Sequence, residues 1–107
     1  EIDARFILVV SPRFHHWNPK ECPRNWEAFA YGLDEPHQDV IFNYFDEQAA
    51  TASFPVHTML KEFQATRESP LVFKTDPHWN SRGHRFVADR LVELLAREAP
   101  EVLGDQP

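Results

Sequence analysis

The sequence predicts an α/β fold, with a short, mostly parallel sheet and flanking helices. Three observations point there. An apolar run near the N-terminus is closed by a Ser-Pro pair, a long amphipathic stretch precedes Pro100, and shorter strand-like and helix-like segments alternate between the two. Alternation of this kind is the pattern of strands joined by helical crossovers.

Arg5 to Val10 (RFILVV) reads as a buried strand ended by Ser11 and Pro12, because the run is short, apolar and rich in β-branched residues. From Arg13 to Asp34 no hydrophobic period is sustained. Pro12, Pro19, Pro23 and Gly32 punctuate this region, while Trp17, Trp26, Phe29 and Tyr31 give it something to pack with. An ordered loop follows from this, with one helical turn near Asn25 to Tyr31. So long a loop is uncommon unless it has a function or lies against another part of the protein.

A helix is expected from Glu35 to Ala50. Asp34 would cap it, and Pro36 suits a first turn where a missing N–H costs nothing. Val40, Ile41, Tyr44, Phe45 and Gln48 then share one side, the stripe that a core-facing helix needs. Phe54-Pro55-Val56 reads as a second strand, weakened by its proline. Thr58 to Thr66 reads as a short helix with Met59, Leu60 and Phe63 inward.

Leu71-Val72-Phe73 is a third apolar run, expected to be a strand ending at Lys74. The last helix runs from Ser81 to Glu98 with Val87, Leu91, Leu94 and Leu95 on one stripe, and Pro100 stops it. Asn80 or Ser81 would cap it, and Gly83 in its first turn permits close approach of a neighbouring backbone. The polar tail beyond is expected to fray. Three strands make a narrow sheet, and a parallel sheet normally needs helices on both faces. The expectation is therefore one domain over residues 1–107 that forms the C-terminal portion of a larger fold.

Composition narrows the function classes. Of 107 residues, 42% are hydrophobic and 26% charged, which is enough apolar material for a core. The net charge of -6 argues against nonspecific binding to nucleic acid or anionic membranes, both of which need excess Lys and Arg. The strongest apolar run, Phe6 to Val10, has five residues, whereas a membrane-spanning helix takes about 20. Cys22 is the one cysteine, so neither an internal disulfide nor a cysteine-based zinc knuckle can form. The chain starts at Glu1 rather than Met, which reads as a cut or processed terminus and leaves location open.

The chemistry lies in Leu71 to Leu95, LVFKTDPHWNSRGHRFVADRLVELL. A strand feeds a loop and the loop feeds a helix, and ligands of open α/β sheets bind beyond the carboxyl ends of strands. Pro77 disfavours α geometry at Asp76, and residues two apart in an extended segment project to the same side. Asp76 and His78 can therefore face one site. A carboxylate beside a histidine fixes its tautomer and stabilises the imidazolium formed when the ring takes a proton. Histidine suits that role because its ordinary pKa of ~6.5 lies near working pH.

Asp76-Pro77-His78-Trp79-Asn80, followed by Gly83-His84 and an amphipathic helix, resembles the last sequence block of the SGNH (GDSL-like) hydrolases. The likeness covers most of the chain loosely and Leu71 to Leu95 closely. It implies a partial three-layer, flavodoxin-like fold. It also implies His78 as general base, Asp76 as its orienting partner, and an esterase, lipase, deacetylase or acyltransferase activity on an ester or acylated carbohydrate. No metal or organic cofactor is needed for such chemistry. The family's Gly-Asp-Ser block, and the Gly and Asn of its oxyanion hole, have no counterpart here: Ser11, Ser53, Ser69 and Ser81 all lie in other contexts. The Asp-His spacing is two rather than the commoner three, a feature reminiscent of alginate O-acetyltransferase-like members, in which the serine follows the block. Gly83-His84 favours the ordinary order, with the serine upstream. The isolated chain is expected to be inactive.

Plainer readings stand beside these. Asp76 and His78 can be a helix-entry loop making local hydrogen bonds. Asp76, His78 and His84 have ligand chemistry for a metal, but His84 falls within the helix. Trp79 reads as a packing residue, His15-His16-Trp17 as ordinary loop whose adjacent histidines point different ways, and His57 as a surface or interface residue. Cys22 has no histidine partner for a reactive thiol. A different class of function, a non-catalytic binding or assembly module, fits the same α/β pattern. A sheet edge left unpaired offers a route to a homodimer.

Overall fold

The computed structural model describes residues 4–32, 35 and 37–104. Two strands, β1 (Leu8–Val10) and β2 (Val56–Thr58), pair in parallel, with Leu8 opposite Val56, Val9 opposite His57 and Val10 opposite Thr58. Among the described residues four α-helices accompany them: α1 (Glu27–Ala30), α2 (Val40–Ala49), α3 (Leu60–Ala65) and α4 (Ser81–Glu98). The connection from β1 to β2 carries two 3₁₀ turns, Phe14–His16 and Pro19–Glu21, and then α1 and α2. The α/β character is therefore present, with a small parallel sheet. Among the described residues no helix is long and apolar enough to cross a membrane.

The core has two parts. Met59, Phe63, Leu71, Phe86 and Val87 form one cluster, and Phe14, Cys22 and Val72 form the other. Trp17 and Trp79 pack against both, so these two indoles join the α4 side of the molecule to the long loop. Met59, Leu60 and Phe63 are buried as their spacing in α3 predicts. α4 has the expected bounds and buries Val87 and Leu94, with Leu91 and Leu95 half-buried. Phe86 adds a buried ring to that stripe, edge-on to Phe63 at 5.0 Å.

The strands are displaced from their expected bounds, β1 covering only Leu8–Val10 of the Arg5–Val10 run and half-buried there with Phe6 exposed, and β2 covering Val56–Thr58 in place of Phe54–Val56; two further expectations need correction. Leu71-Val72-Phe73 is not a third strand of the sheet. Its backbone is used elsewhere: Val72 forms an isolated antiparallel bridge with Trp79, Phe73 N–H donates to the His78 carbonyl (3.3 Å), and Asn80 N–H to the Leu71 carbonyl (3.0 Å). The buried Glu21 carboxylate takes the Leu71 N–H (2.6 Å) and the Ser69 hydroxyl (2.6 Å). With the Leu71 N–H held by Glu21, and the Phe73 N–H and Leu71 carbonyl paired to its own return segment, this run is engaged away from the β1–β2 sheet.

The second correction concerns α2, which begins at Val40 rather than Glu35. Gln38 is buried and spans two partners, its side chain meeting His15 Nδ1 (3.0 Å) and donating to the Gly32 carbonyl (2.9 Å). That packing holds the approach to the helix in a turn. The proposed cap Asp34 and first-turn Pro36 lie outside the described residues. The inward residue of α2 is Phe42, edge-on to the His16 ring at 4.9 Å, whereas Val40, Ile41 and Tyr44 are exposed. The helix packs on β2, with Thr58 donating to Asp46 (2.8 Å), and Phe42 rather than the wider stripe read from the sequence is its buried residue.

Candidate functional site

The return segment that closes the Val72–Trp79 bridge carries Asp76 and His78. Its tip is tied to the long loop, since Arg24 N–H donates to the Lys74 carbonyl (3.0 Å) and Asn25 Nδ2 reaches the Thr75 carbonyl (3.4 Å). Its C-terminal side is fixed by Asn80. That side chain accepts from Gly83 N–H (2.9 Å) as the cap of α4, and donates through Nδ2 to the carbonyls of Pro70 (2.9 Å) and Val72 (3.1 Å). One amide therefore holds the segment and starts the helix.

Within the segment, Asp76 Oδ1 accepts the backbone N–H of His78 (2.9 Å) and is also hydrogen-bonded to His78 Nδ1. The backbone N–H of His78, and then its ring, hold the Asp76 carboxyl below the usual carboxylate range. With Nδ1 engaged, Nε2 is the nitrogen left for a reacting group. The His78 side chain is 84% exposed, so nothing in the described chain shields that nitrogen from solvent. The two residues singled out by sequence are thus brought together, and the hydrogen bond that makes them a pair is present.

His78 lines a cleft of ≈ 260 Å³ together with Ser11, Arg13, Pro77, Trp79 and His84. Ser11 and Arg13 come directly after β1, at the carboxyl end of the strand, where α/β sheets place their ligands. Sequence reading passed over both. The rule that located Asp76 and His78 beyond one apolar run applies equally to the residues just after RFILVV, so the signal was there. Ser69 is bound to Glu21, and Ser81 opens α4. Ser53 sits just before β2, beside Phe54 and Pro55 at the far end of the strands. Ser11 is the serine that shares the cleft with His78.

Arg13 also belongs to a polar knot that lines a second cleft of ≈ 280 Å³. Arg13 donates through Nε to Glu27 Oε2 (2.9 Å) and through Nη2 to Oε1 (2.6 Å), a fork-on-carboxylate pair. Glu27 is buried and raises the pKa of Arg13. His15 is buried too, stacked on Tyr31 at 4.6 Å, with Nε2 3.8 Å from Glu27 Oε2. Its neighbour His16 accepts the Arg13 backbone N–H at Nδ1 (3.0 Å). Burial lowers the pKa of both histidines. Their rings lie 4.2 Å apart, and each makes structural contacts within the loop.

The remaining candidates have structural surroundings. Trp79 meets His84 edge-on at 5.6 Å while its indole packs into the core. His57 is half-buried and paired through Nε2 with Glu62 Oε1 (2.6 Å). Cys22 is fully buried and its pKa is raised by that burial, the condition of an unreactive thiol. Among the described residues no group of three or more His, Cys, Asp or Glu side chains is placed to hold a metal ion. Comparison of the chain with protein-family models, curated proteins and solved structures found no match.

Proposed function

We propose that this chain carries the base half of a serine acyl-hydrolase site of SGNH type, with His78 as general base and Asp76 as its orienting carboxylate. The observation that carries the reading is the Asp76–His78 Nδ1 hydrogen bond, which leaves Nε2 beside an open cleft. The nucleophilic serine would come from a segment outside these 107 residues. His78 Nε2 takes the serine proton as the oxygen attacks the ester carbonyl, then gives it to the departing alcohol. A water activated by the same nitrogen releases the acyl group as a carboxylic acid. Asp76 keeps Nδ1 protonated throughout and stabilises the imidazolium. The substrate class is an acyl ester, with acylated carbohydrate within its range, and polysaccharide O-acetyl transfer is the neighbouring chemistry.

The test is 4-nitrophenyl acetate hydrolysis by the protein of the complete open reading frame, by its His78→Ala variant and by the 107-residue chain. Activity in the complete protein alone, abolished by His78→Ala, is the expected result. Equal background rates in all three would overturn the esterase reading and favour a binding or assembly module. Ser11→Ala in the complete protein should leave the nucleophile in place and retain activity. The same reading has the open edges of the two-stranded sheet available to a second copy of the isolated chain. Sedimentation of the chain as a monomer at all concentrations would count against that pairing.

A further inference from the structure

We infer that Arg13 is the substrate-binding residue of the His78 cleft and that it takes a carboxylate group. That this carboxylate belongs to an acyl ester rests on the acyl-hydrolase reading, whereas carboxylate binding at Arg13 does not. Arg13 reaches the cleft because β1 ends at Val10 and buried Pro12 directs the chain across the end of the sheet. Arg13 lines the same cleft as His78 although the two residues are far apart in sequence, and with Glu27 it also lines a second cleft.

The guanidinium is held before any ligand arrives. Glu27 engages Nε and Nη2 with its two oxygens. Glu27 is itself fixed, with its backbone N–H on Asn25 Oδ1 (3.0 Å), its side chain buried, and His15 at 3.8 Å. An arginine has five N–H donors in a rigid plane. Two are committed to Glu27 and three remain, while about half of the side chain (53%) stays exposed. The result is a pre-oriented donor edge at the rim of a cleft, so little side-chain entropy is left to lose when a planar anion binds.

The charges around the cleft agree. The chain carries a net charge of -6, yet among the described residues lining the cleft none is a carboxylate, and Asp76 and Glu27, which pair with two of those residues, are engaged by His78 and Arg13. Among the described lining residues the Ser11 hydroxyl and the His84 ring can each also offer a donor. A carboxylate fits the fork of a guanidinium and can sit there while an ester group lies over Pro77 and Trp79 towards His78. Placed so, it would favour acyl esters with an acidic group over neutral ones.

Binding can be read without turnover. The 107-residue chain is titrated with monomethyl succinate, dimethyl succinate and inorganic phosphate at constant ionic strength and pH 7.5, following the His78 ring C–H resonances by NMR. Saturable shifts with monomethyl succinate, at least tenfold weaker with neutral dimethyl succinate, are expected. Arg13→Gln should weaken the first by about tenfold or more, and Lys61→Gln, on the exposed face of α3, should leave it unchanged. Arg13→Lys keeps the charge and the Glu27 ion pair but loses the fork. It should fall between wild type and Arg13→Gln, and it serves if the latter does not fold. No saturation, equal response to both esters, tighter binding of phosphate, or wild-type affinity in Arg13→Lys would overturn the proposal. In the complete protein, Arg13→Gln should lower the kcat/KM ratio of 4-nitrophenyl hydrogen succinate over 4-nitrophenyl acetate about tenfold. An inactive complete protein would sink the hydrolase reading while the titration still decides Arg13.

Discussion

The Leu71 carbonyl oxygen occupies the space that Gly83 leaves by having no side chain. A methyl group on Gly83 would overlap that oxygen and meet Trp79 Cβ at 2.9 Å. The first turn of α4 can therefore press directly on the backbone of the apolar run before the Asp76–His78 segment. Trp79 is wedged between the two core clusters at the same point.

Gly83→Ala should accordingly destabilise the protein, although alanine is the better helix former. The propensity gain is about 1 kcal/mol, and forcing backbone apart in a packed region costs about 1–3 kcal/mol or more. The obstacle is a carbonyl rather than a flexible side chain, so the cost should lie at the upper end. A lowered urea midpoint with unchanged slope is expected. A raised midpoint would mean that the helix can slide away from Leu71.

Asn80→Asp tests the double role of Asn80. As a helix cap alone the change is nearly neutral, because Asp and Asn rank together at that position. Here Nδ2 donates to the carbonyls of Pro70 and Val72. Aspartate would replace both donors by an oxygen facing two oxygens, at a cost of roughly 2–3 kcal/mol. Asn80→Ser keeps a cap without placing charge there, and should be the milder variant. Equal stability of wild type and Asn80→Asp, measured by urea unfolding, would reduce Asn80 to a simple cap.

The sequence was most legible where one rule decided the outcome. α4 has its expected limits because Asn80, the Val87–Leu95 stripe and Pro100 all act locally. The Asp76–His78 pair was legible because its partners lie two residues apart. The third strand failed because Leu71 is bonded to Glu21, fifty residues away, and hydrophobic runs carry no record of such partners. α2 was misread for a similar reason: buried Gln38 is engaged by His15 and Gly32, and a polar residue in a helical pattern gives no sign of that. Arg13 escaped notice because its significance depends on Glu27 and on the cleft, neither of which is near it in sequence.

Acid should loosen the loop around His15 and His16. Burial keeps His15 and His16 below the ordinary histidine pKa of 6.5; for His15 the Gln38 bond and the Glu27 charge offset this in part while the Arg13 charge adds to it, and for His16 the His15 and Arg13 charges add to it while the Arg13 carbonyl and Asp39 oppose. In the unfolded chain both return to about 6.5. Just below that pH the unfolded state binds more protons, so stability is fully present above about 6.5 and falls as pH drops towards the depressed folded values. Urea midpoints at pH 7.5 and 5.5 should differ, and a His15→Asn/His16→Asn double variant should show less of that difference. An unchanged difference would assign the acid sensitivity to other groups.

Asp76 should behave differently from a carboxylate governed by its histidine ring. The larger cause of its lowered pKa is the backbone N–H of His78, and the ring comes second. His78→Ala removes the ring but keeps that N–H. Most of the depression should therefore survive in the variant, as followed by the carboxyl carbon resonance of Asp76 across acid pH. The turn closed by this N–H is present while Asp76 is ionised and weakens as pH falls through the depressed folded value. A return of Asp76 to its ordinary value in His78→Ala would show that the ring, and not the turn, holds the charge. If the depression persists, Asp76 is charged and in place before the imidazole engages it, which is the state a general base requires of its orienting partner.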